Sequence, residues 1–175
     1  MPGTIDYLET VLDVSEDLEK RGMTPVLIGG MALVILGSDR ITNDFDFLIS
    51  APETVLAEIV EVFYAHGFEL VSKLKEGKVT RTIDNKNIAV VRLKLDAPQS
   101  AYFYHPKKEL RIDLLFDFPF PAKEVAGRAT KTKIKSRFLR VASTEDLIRL
   151  KEIAYKDRKA ATDAQDLEFL RKKLG

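Results

Sequence analysis

The stretch from Leu27 to Phe47, LIGGMALVILGSDRITNDFDF, constrains the fold more than any other part of the chain. A short apolar run, PVLI, ends at the pair Gly29-Gly30, and a second apolar run, MALVILG, closes at Gly37. We therefore expect a buried strand, a tight glycine turn and a short helix wedged inside the core. The following segment, DFDFLIS, alternates carboxylate and aromatic residues, which is the period of a strand.

Two aspartates of that strand are candidates for chemistry. Residues two apart on a strand point to the same face, so Asp44 and Asp46 share one side while Phe45 and Phe47 anchor the other. A further predicted strand, ELRIDLLFDF, carries Asp113, which completes a triad if the two strands are neighbours. At about 6 Å and an effective dielectric near 20, two carboxylates repel by roughly 3 kcal/mol. Either the site raises their pKa values or, more simply, a divalent cation holds them, and an all-oxygen cluster favours magnesium or manganese.

The glycine pair acquires a role beside such a cation. Magnesium bound by carboxylates usually completes its shell with water and substrate phosphates. At a strand-to-helix turn, the missing side chains of Gly29 and Gly30 let a phosphate approach the backbone. Each signal alone has an ordinary explanation: a turn, two solvated acids on an edge strand, and a buried Asp113 satisfied by Arg111. Their order along the chain predicts a pocket for a metal–polyphosphate complex.

The rest of the chain predicts an α+β fold, with a mixed, mostly antiparallel sheet flanked by helices and a short C-terminal helical extension. An amphipathic helix opens the chain and stops at Gly22, and a capping box of Ser50 with Glu53 starts a helix that ends at His66-Gly67. Strands are predicted for FELVSKL, KVTRTID, IAVVRLKL and ELRIDLLFDF, with a hairpin turn from Asp84 to Asn87. Strands that follow one another without intervening helices favour antiparallel pairing.

Two regions are predicted. Residues 1–122 form the catalytic core, and residues 123–175 form a basic strand and two helices packed on it, the helices starting near Ser143 and Thr162. Ser143 and Asp146 are a plausible capping pair. The basic residues alternate, so on one strand they would share a face: Lys131, Lys133, Lys135 and Arg137. That face is either a groove for RNA or a phosphorylated acceptor, or, as the stronger alternative, a solvated edge that discourages aggregation.

Composition excludes several classes of function. With 28 basic and 27 acidic residues the formal net charge is +1, so no overall field attracts nucleic acid or an anionic membrane. The absence of cysteine excludes disulfides, thiolate zinc sites and cysteine nucleophiles. No apolar run reaches the roughly 18 residues of a membrane span, and no secretory signal begins the chain. We expect a cytoplasmic protein without a membrane partner.

At these residues the chain resembles a known family. GGMALVILGSDRITNDFDF resembles the signature of the polymerase-β-like nucleotidyltransferase superfamily, in the variant G-G-x-A, short helix, R-x-T-x-D-x-D. Where many members have a glycine–serine turn, this chain has Gly29-Gly30. The downstream segment VASTEDLIRLKEIAYKDR…TDAQDLEFL resembles the C-terminal helices of abortive-infection-type nucleotidyltransferase toxins. The matching positions are Gly29, Gly30, Ala32, Arg40, Thr42, Asp44 and Asp46 in the first motif, and Lys151, Asp163 and Asp166 in the second.

The resemblance implies transfer of a nucleoside monophosphate from a nucleoside triphosphate to an acceptor, with release of pyrophosphate. It implies Mg²⁺ or Mn²⁺ as cofactor, and an acceptor that is a small molecule, a transfer RNA or a protein. The alternative is a catalytically inactive nucleotidyltransferase-like scaffold that binds a partner protein or a nucleotide, as in a toxin–antitoxin module. The implied catalytic and metal-binding residues are Asp44, Asp46 and Asp113. The implied nucleotide-binding residues are Gly29, Gly30, Arg40, Thr42 and Lys151.

Overall fold

The computed structural model describes residues 4–175 and contains one mixed sheet of eight strands with helices around it. The strands are β1 Val26–Ile28, β2 Phe45–Ile49, β3 Glu69–Lys75, β4 Lys78–Ile83, β5 Ser100–His105, β6 Leu110–Phe116, β7 Thr130–Ile134 and β8 Arg137–Val141. The helices are α1 Thr4–Lys20, α2 Gly29–Ile35, α3 Leu56–Ala65, α4 Lys86–Asp96, α5 Ala122–Arg128, α6 Thr144–Arg158 and α7 Ala161–Leu174. Among residues 4–175, no helix combines the length and apolarity needed to cross a membrane.

The strand order is β4-β3-β5-β6-β2-β1-β8-β7. Only the β2–β6 and β1–β8 ladders are parallel among the described strands, so the predicted mixed, mostly antiparallel sheet is confirmed. The central strands β2 and β6 carry buried apolar residues on both faces, with Phe45, Leu48, Ile112 and Leu114 fully buried. Because both faces are buried, these strands are a rigid support for the predicted acids that they carry.

The predicted strand IAVVRLKL is wrong, because this segment forms helix α4. The predicted hairpin turn before it is wrong as well: Asn85 caps the helix, and its side chain accepts a hydrogen bond from the backbone N–H of Ile88 at 3.0 Å. The buried residues Ala89 and Leu93 are four apart, which is the helical period. A run of β-branched residues gave the segment a strand-like composition that the cap and the packing override.

The predicted capping box at Ser50 is also wrong. The Ser50 hydroxyl donates to Asp117 Oδ2 at 3.1 Å instead, and a 3-10 turn at Glu53–Val55 precedes α3. Pro52, with its φ fixed at −60°, occupies the position before that turn. The second predicted cap is confirmed, because the backbone N–H of Asp146 donates to Ser143 Oγ at 3.1 Å at the start of α6.

The basic segment is two strands and a turn rather than one strand. Lys135 has a φ of +57° and lies in the turn that separates β7 from β8. Lys131 and Lys133 therefore share a strand face, whereas Arg137 binds Asp13 and Glu16 of α1. The two strands continue the main sheet, since β8 pairs with β1. The boundary after residue 122 stays a prediction, and helix α5, which starts there, was not predicted.

Candidate active site

The parallel pairing of β2 with β6 places Asp46 directly opposite Asp113 in register. Phe45 and Phe47 are buried on the other side of β2, as their alternation indicated. Asp44 precedes the first residue of β2 and is exposed, and its backbone N–H donates to Thr42 Oγ1 at 3.3 Å. The structure thus brings two predicted acids together on the sheet and leaves the third at the strand entrance.

The two paired acids are buried enough to perturb each other. Burial raises the pKa of Asp113 to about 7; the charge of Asp46 adds to this rise, and the Arg111 guanidinium opposes it. Burial also raises the pKa of Asp46, the neighbouring Asp113 carboxyl acts in the opposite direction, and the charge of Asp44 adds to the rise. A cation that binds beside two carboxyl groups with raised pKa values stabilises their ionised forms.

Arg111 is a cation that contacts Asp113. Its Nη2 donates to Asp113 Oδ2 at 3.0 Å, and its guanidinium lies 5.3 Å from the ring centroid of Tyr102. Arg111 Nε lies 2.9 Å from Asp113 Oδ1 without forming a hydrogen bond, so both of these buried atoms lack a hydrogen-bond partner. Asp113 Oδ1 therefore has an ion-pair contact but no hydrogen bond, so it can still accept one or bind a cation.

The missing side chains of Gly29 and Gly30 make room for two charged side chains of the protein itself. Gly29 has a φ of +72°, and a Cβ there would overlap Oδ2 of Asp46 and lie 3.1 Å from its Cγ. A Cβ at Gly30 would lie 3.0 Å from the guanidinium carbon of Arg40. The sequence predicts that the missing side chains make room for an incoming phosphate. The structure shows that they also make room for Asp46 and Arg40.

A cluster of five charged side chains, called here the charge cluster, joins the loop after α2 to the C-terminal helices, and three of its members are buried: Lys151, Asp163 and Asp166. Lys151 Nζ lies 2.9 Å from Asp166 Oδ2 and 3.4 Å from Asp163 Oδ1. Arg40 pairs with Asp166, and Arg158 donates to both oxygens of Asp163 at 2.9 and 3.0 Å. Three cations around two anions leave one positive charge. The sequence singled out Asp163 and Asp166 only by family pattern, and their role in holding these cations is visible only in the fold.

A cavity of about 380 Å³ opens over the acid pair. Its polar lining includes Gly29, Asp46, Asp113, Lys151 and Arg158, so several predicted site residues face one space. Arg40, Thr42 and Asp44 do not line it. Its apolar lining was not predicted from the sequence, and it consists of Ile28, Leu115, Phe118, Pro119, Leu147, Leu150, Ile153 and Ala154.

The sequence matches the model of a known protein family over most of its length. The family model of the nucleotidyl transferase AbiEii toxins of type IV toxin–antitoxin systems matches residues 15–174. The chain belongs to the AbiEii nucleotidyltransferase family. The predicted membership of the polymerase-β-like superfamily, in its abortive-infection-type branch, is therefore confirmed, as is the prediction of a nucleotidyltransferase. No curated protein matches the sequence.

Solved structures share this fold at low sequence identity. An antigenic nucleotidyltransferase-like protein from Paracoccidioides brasiliensis has a TM-score of 0.61 and 19% identity, with 94% of this chain and 75% of that one covered. The lincosamide antibiotic adenylyltransferase LnuA, bound to lincomycin, has a TM-score of 0.57 and 14% identity, with 95% of each chain covered. ANT(2")-Ia in complex with adenylyl-2"-tobramycin has a TM-score of 0.60 and 15% identity, with 96% and 90% covered. These likenesses establish the fold of the AbiEii-family chain.

The paired acids offer carboxylate oxygens to a divalent metal. Within residues 4–175, no group of three or more carboxylate, imidazole or thiolate side chains is close enough together to hold a metal ion. Asp46 and Asp113 nevertheless supply oxygen ligands side by side, and Asp113 Oδ1 lacks a hydrogen-bond partner. Magnesium typically takes one or two carboxylates and completes its shell with water and phosphates. Two acids with this chemistry fit such an ion.

Proposed function

We propose that this AbiEii-family chain is an active, metal-dependent nucleotidyltransferase that moves a nucleoside monophosphate from a nucleoside triphosphate to an acceptor and releases pyrophosphate. The observation that carries the proposal is the pairing of Asp46 with Asp113 at one side of a cavity that Lys151 also lines. Family membership and the names of two similar structures, both antibiotic adenylyltransferases, support it. An adenosine triphosphate donor is therefore the first to test.

The acids are assigned to metal binding and catalysis. Asp46 and Asp113 would hold Mg²⁺ or Mn²⁺, and Asp44, exposed at the entrance of β2, is the third predicted ligand. When bound, such an ion activates the attacking oxygen and neutralises charge on the phosphates. Asp113 is also assigned to help take up the proton of the acceptor hydroxyl, because its carboxyl group lines the cavity beside Asp46.

The remaining predicted residues are assigned to the nucleotide. Lys151 is held between two carboxylates and lines the cavity, so it can contact phosphate without reorganising. Arg40 lies over Gly30 and is fixed by Asp166, which places a second cation beside the glycine turn. Thr42 holds the backbone N–H of Asp44 and so shapes the entrance to β2, and Gly29 lets Asp46 approach the turn.

The experiment uses ATP labelled at the α- or the γ-phosphate, incubated with the protein, magnesium, total transfer RNA and a small-molecule extract. Nucleotidyl transfer predicts that the α-label enters an acceptor fraction and the γ-label does not. Asp46→Asn should abolish the transfer while leaving the far-ultraviolet circular dichroism spectrum unchanged. Transfer of the γ-label, or an equal rate in Asp46→Asn, would overturn the proposal.

A second candidate is the inactive scaffold that binds a partner protein or a nucleotide. It is favoured by one observation: Arg111 already pairs with Asp113, so the described acids have a counter-charge without any metal. This candidate predicts a stable complex with a co-purifying polypeptide, present equally in the wild type and in Asp44→Asn, Asp46→Asn, Asp113→Asn. A complex of this kind, together with no α-label transfer, would favour the scaffold.

A further inference from the structure

One wall of the active-site cavity carries apolar side chains that stay open to solvent. The side chains of Phe118 and Ile153 are 43% and 37% exposed, although both line the same cavity as the paired acids. Pro119, Leu150 and Ala154 lie in the lining beside them. Apolar surface that borders a small concave polar site commonly contacts a ligand. These five residues are called here the apolar wall.

The apolar wall and the cavity lysine come from the same helix. Leu150 is adjacent to Lys151 on α6, and residues 150, 153 and 154 lie three or four apart on one helical face. The charge cluster fixes Lys151 through Asp163 and Asp166. One rigid helix therefore offers a cation and, less than a turn away, an apolar surface. A ligand that suits both has an anionic end and an apolar end.

We propose that the apolar wall, with Phe118 and Ile153 at its exposed edge, contacts the nucleobase of the nucleoside triphosphate. This inference rests on the proposed function, because it places the triphosphate against Lys151 and the paired acids. The cavity of about 380 Å³ has the size of a small-molecule site rather than of a surface for a macromolecular acceptor. Gln99 and Ser100 also line the cavity and add polar groups to it, which suits a ligand with a flat apolar face and a polar edge.

The experiment compares two probes that differ by the nucleoside: magnesium ATP and magnesium tripolyphosphate, each titrated calorimetrically into the full chain. Phe118→Ala and Ile153→Ser remove the exposed edge of the apolar wall without emptying the core. Loss of a base–aromatic contact should weaken ATP binding to Phe118→Ala by about fivefold or more. Tripolyphosphate binding should stay unchanged, and Phe118→Tyr should restore ATP binding. Tyr155→Ala is the matched control, because Tyr155 is 39% exposed on the same helix but lines a different groove.

The outcomes separate this inference from the proposed function. A selective loss of ATP binding in Phe118→Ala supports the nucleobase contact. Unchanged ATP binding overturns it and leaves the apolar wall to the acceptor. An equal loss for both probes also overturns it, because the residue would then act on the shape of the whole site. If the wild type binds neither probe, the proposed function fails and the inference falls with it.

Discussion

Gly29→Ala tests the glycine turn most sharply. At a φ of +72° an alanine costs roughly 1–2 kcal/mol. Its Cβ would also overlap Oδ2 of Asp46, and forcing that carboxylate out of its rotamer costs about 0.5–1.5 kcal/mol more. We therefore expect a loss of about 2–3 kcal/mol in the free energy of unfolding, which a domain of ordinary stability survives. The displaced Asp46 should abolish magnesium-dependent ATP binding.

Gly22→Ala is the matched control. Gly22 has a φ of +86°, and no atom lies within 4 Å of the position a Cβ would take. This variant should therefore lose only the roughly 1–2 kcal/mol of the left-handed backbone and should bind ATP normally. Urea unfolding followed by circular dichroism gives the stabilities, and calorimetry gives the binding. Equal stability losses in the two variants, with ATP binding retained in Gly29→Ala, would refute the contact between the turn and Asp46.

Three further predictions concern charge. Lys151→Met leaves the buried Asp163 and Asp166 with only their arginine partners. Urea unfolding should therefore show a loss of about 3 kcal/mol in the free energy of unfolding, at the low end for a broken buried pair. An unchanged stability would contradict the charge cluster. Because Asp113 must lose its proton to bind a metal, Mn²⁺ affinity by calorimetry should rise between about pH 6 and about pH 8 in the wild type. The rise should be smaller in Asp113→Asn, in which Asp46 is the remaining buried acid, and equal profiles would count against this role. Burial alone would raise the pKa of Asp146, but hydrogen bonds from Arg128 and Ser143 lower it below 3.8. The ionised Asp146 therefore stabilises the fold above pH 3.8, and this stabilisation is lost as the pH falls through the lowered pKa. The urea midpoints of the wild type and Asp146→Asn should differ at pH 7 and converge at low pH.

The acid pair was predictable because its pattern is local. A period of two around Phe45 and Phe47 fixes which side Asp44 and Asp46 share, and an isolated acid in an apolar strand marks Asp113. Neither segment alone shows which strands pair. The sequence therefore predicts the triad only if the two strands are neighbours, and the fold shows that they are. The same local reasoning failed at IAVVRLKL, where composition favours a strand and the Asn85 cap selects a helix.

The parts that the sequence missed depend on contacts between distant segments. Arg40 and Asp166 are 126 positions apart, and no local pattern predicts that the carboxylate holds the arginine. The exposed edge at Phe118 and Ile153 is another case, since apolar residues in a strand end and a helix look like core until the fold places them around a cavity. The raised pKa of Asp113 likewise follows from burial and from Asp46 across the ladder.

Magnesium-dependent nucleotide binding at the acid pair is the central claim, and one titration tests it directly. ATP is titrated calorimetrically into the wild type and into the Asp46→Asn, Asp113→Asn double variant, each with and without magnesium. We predict saturable binding that requires both the magnesium and the two carboxylates. Equal affinity in all four titrations, or none in the wild type with magnesium, would contradict a metal–nucleotide site between β2 and β6.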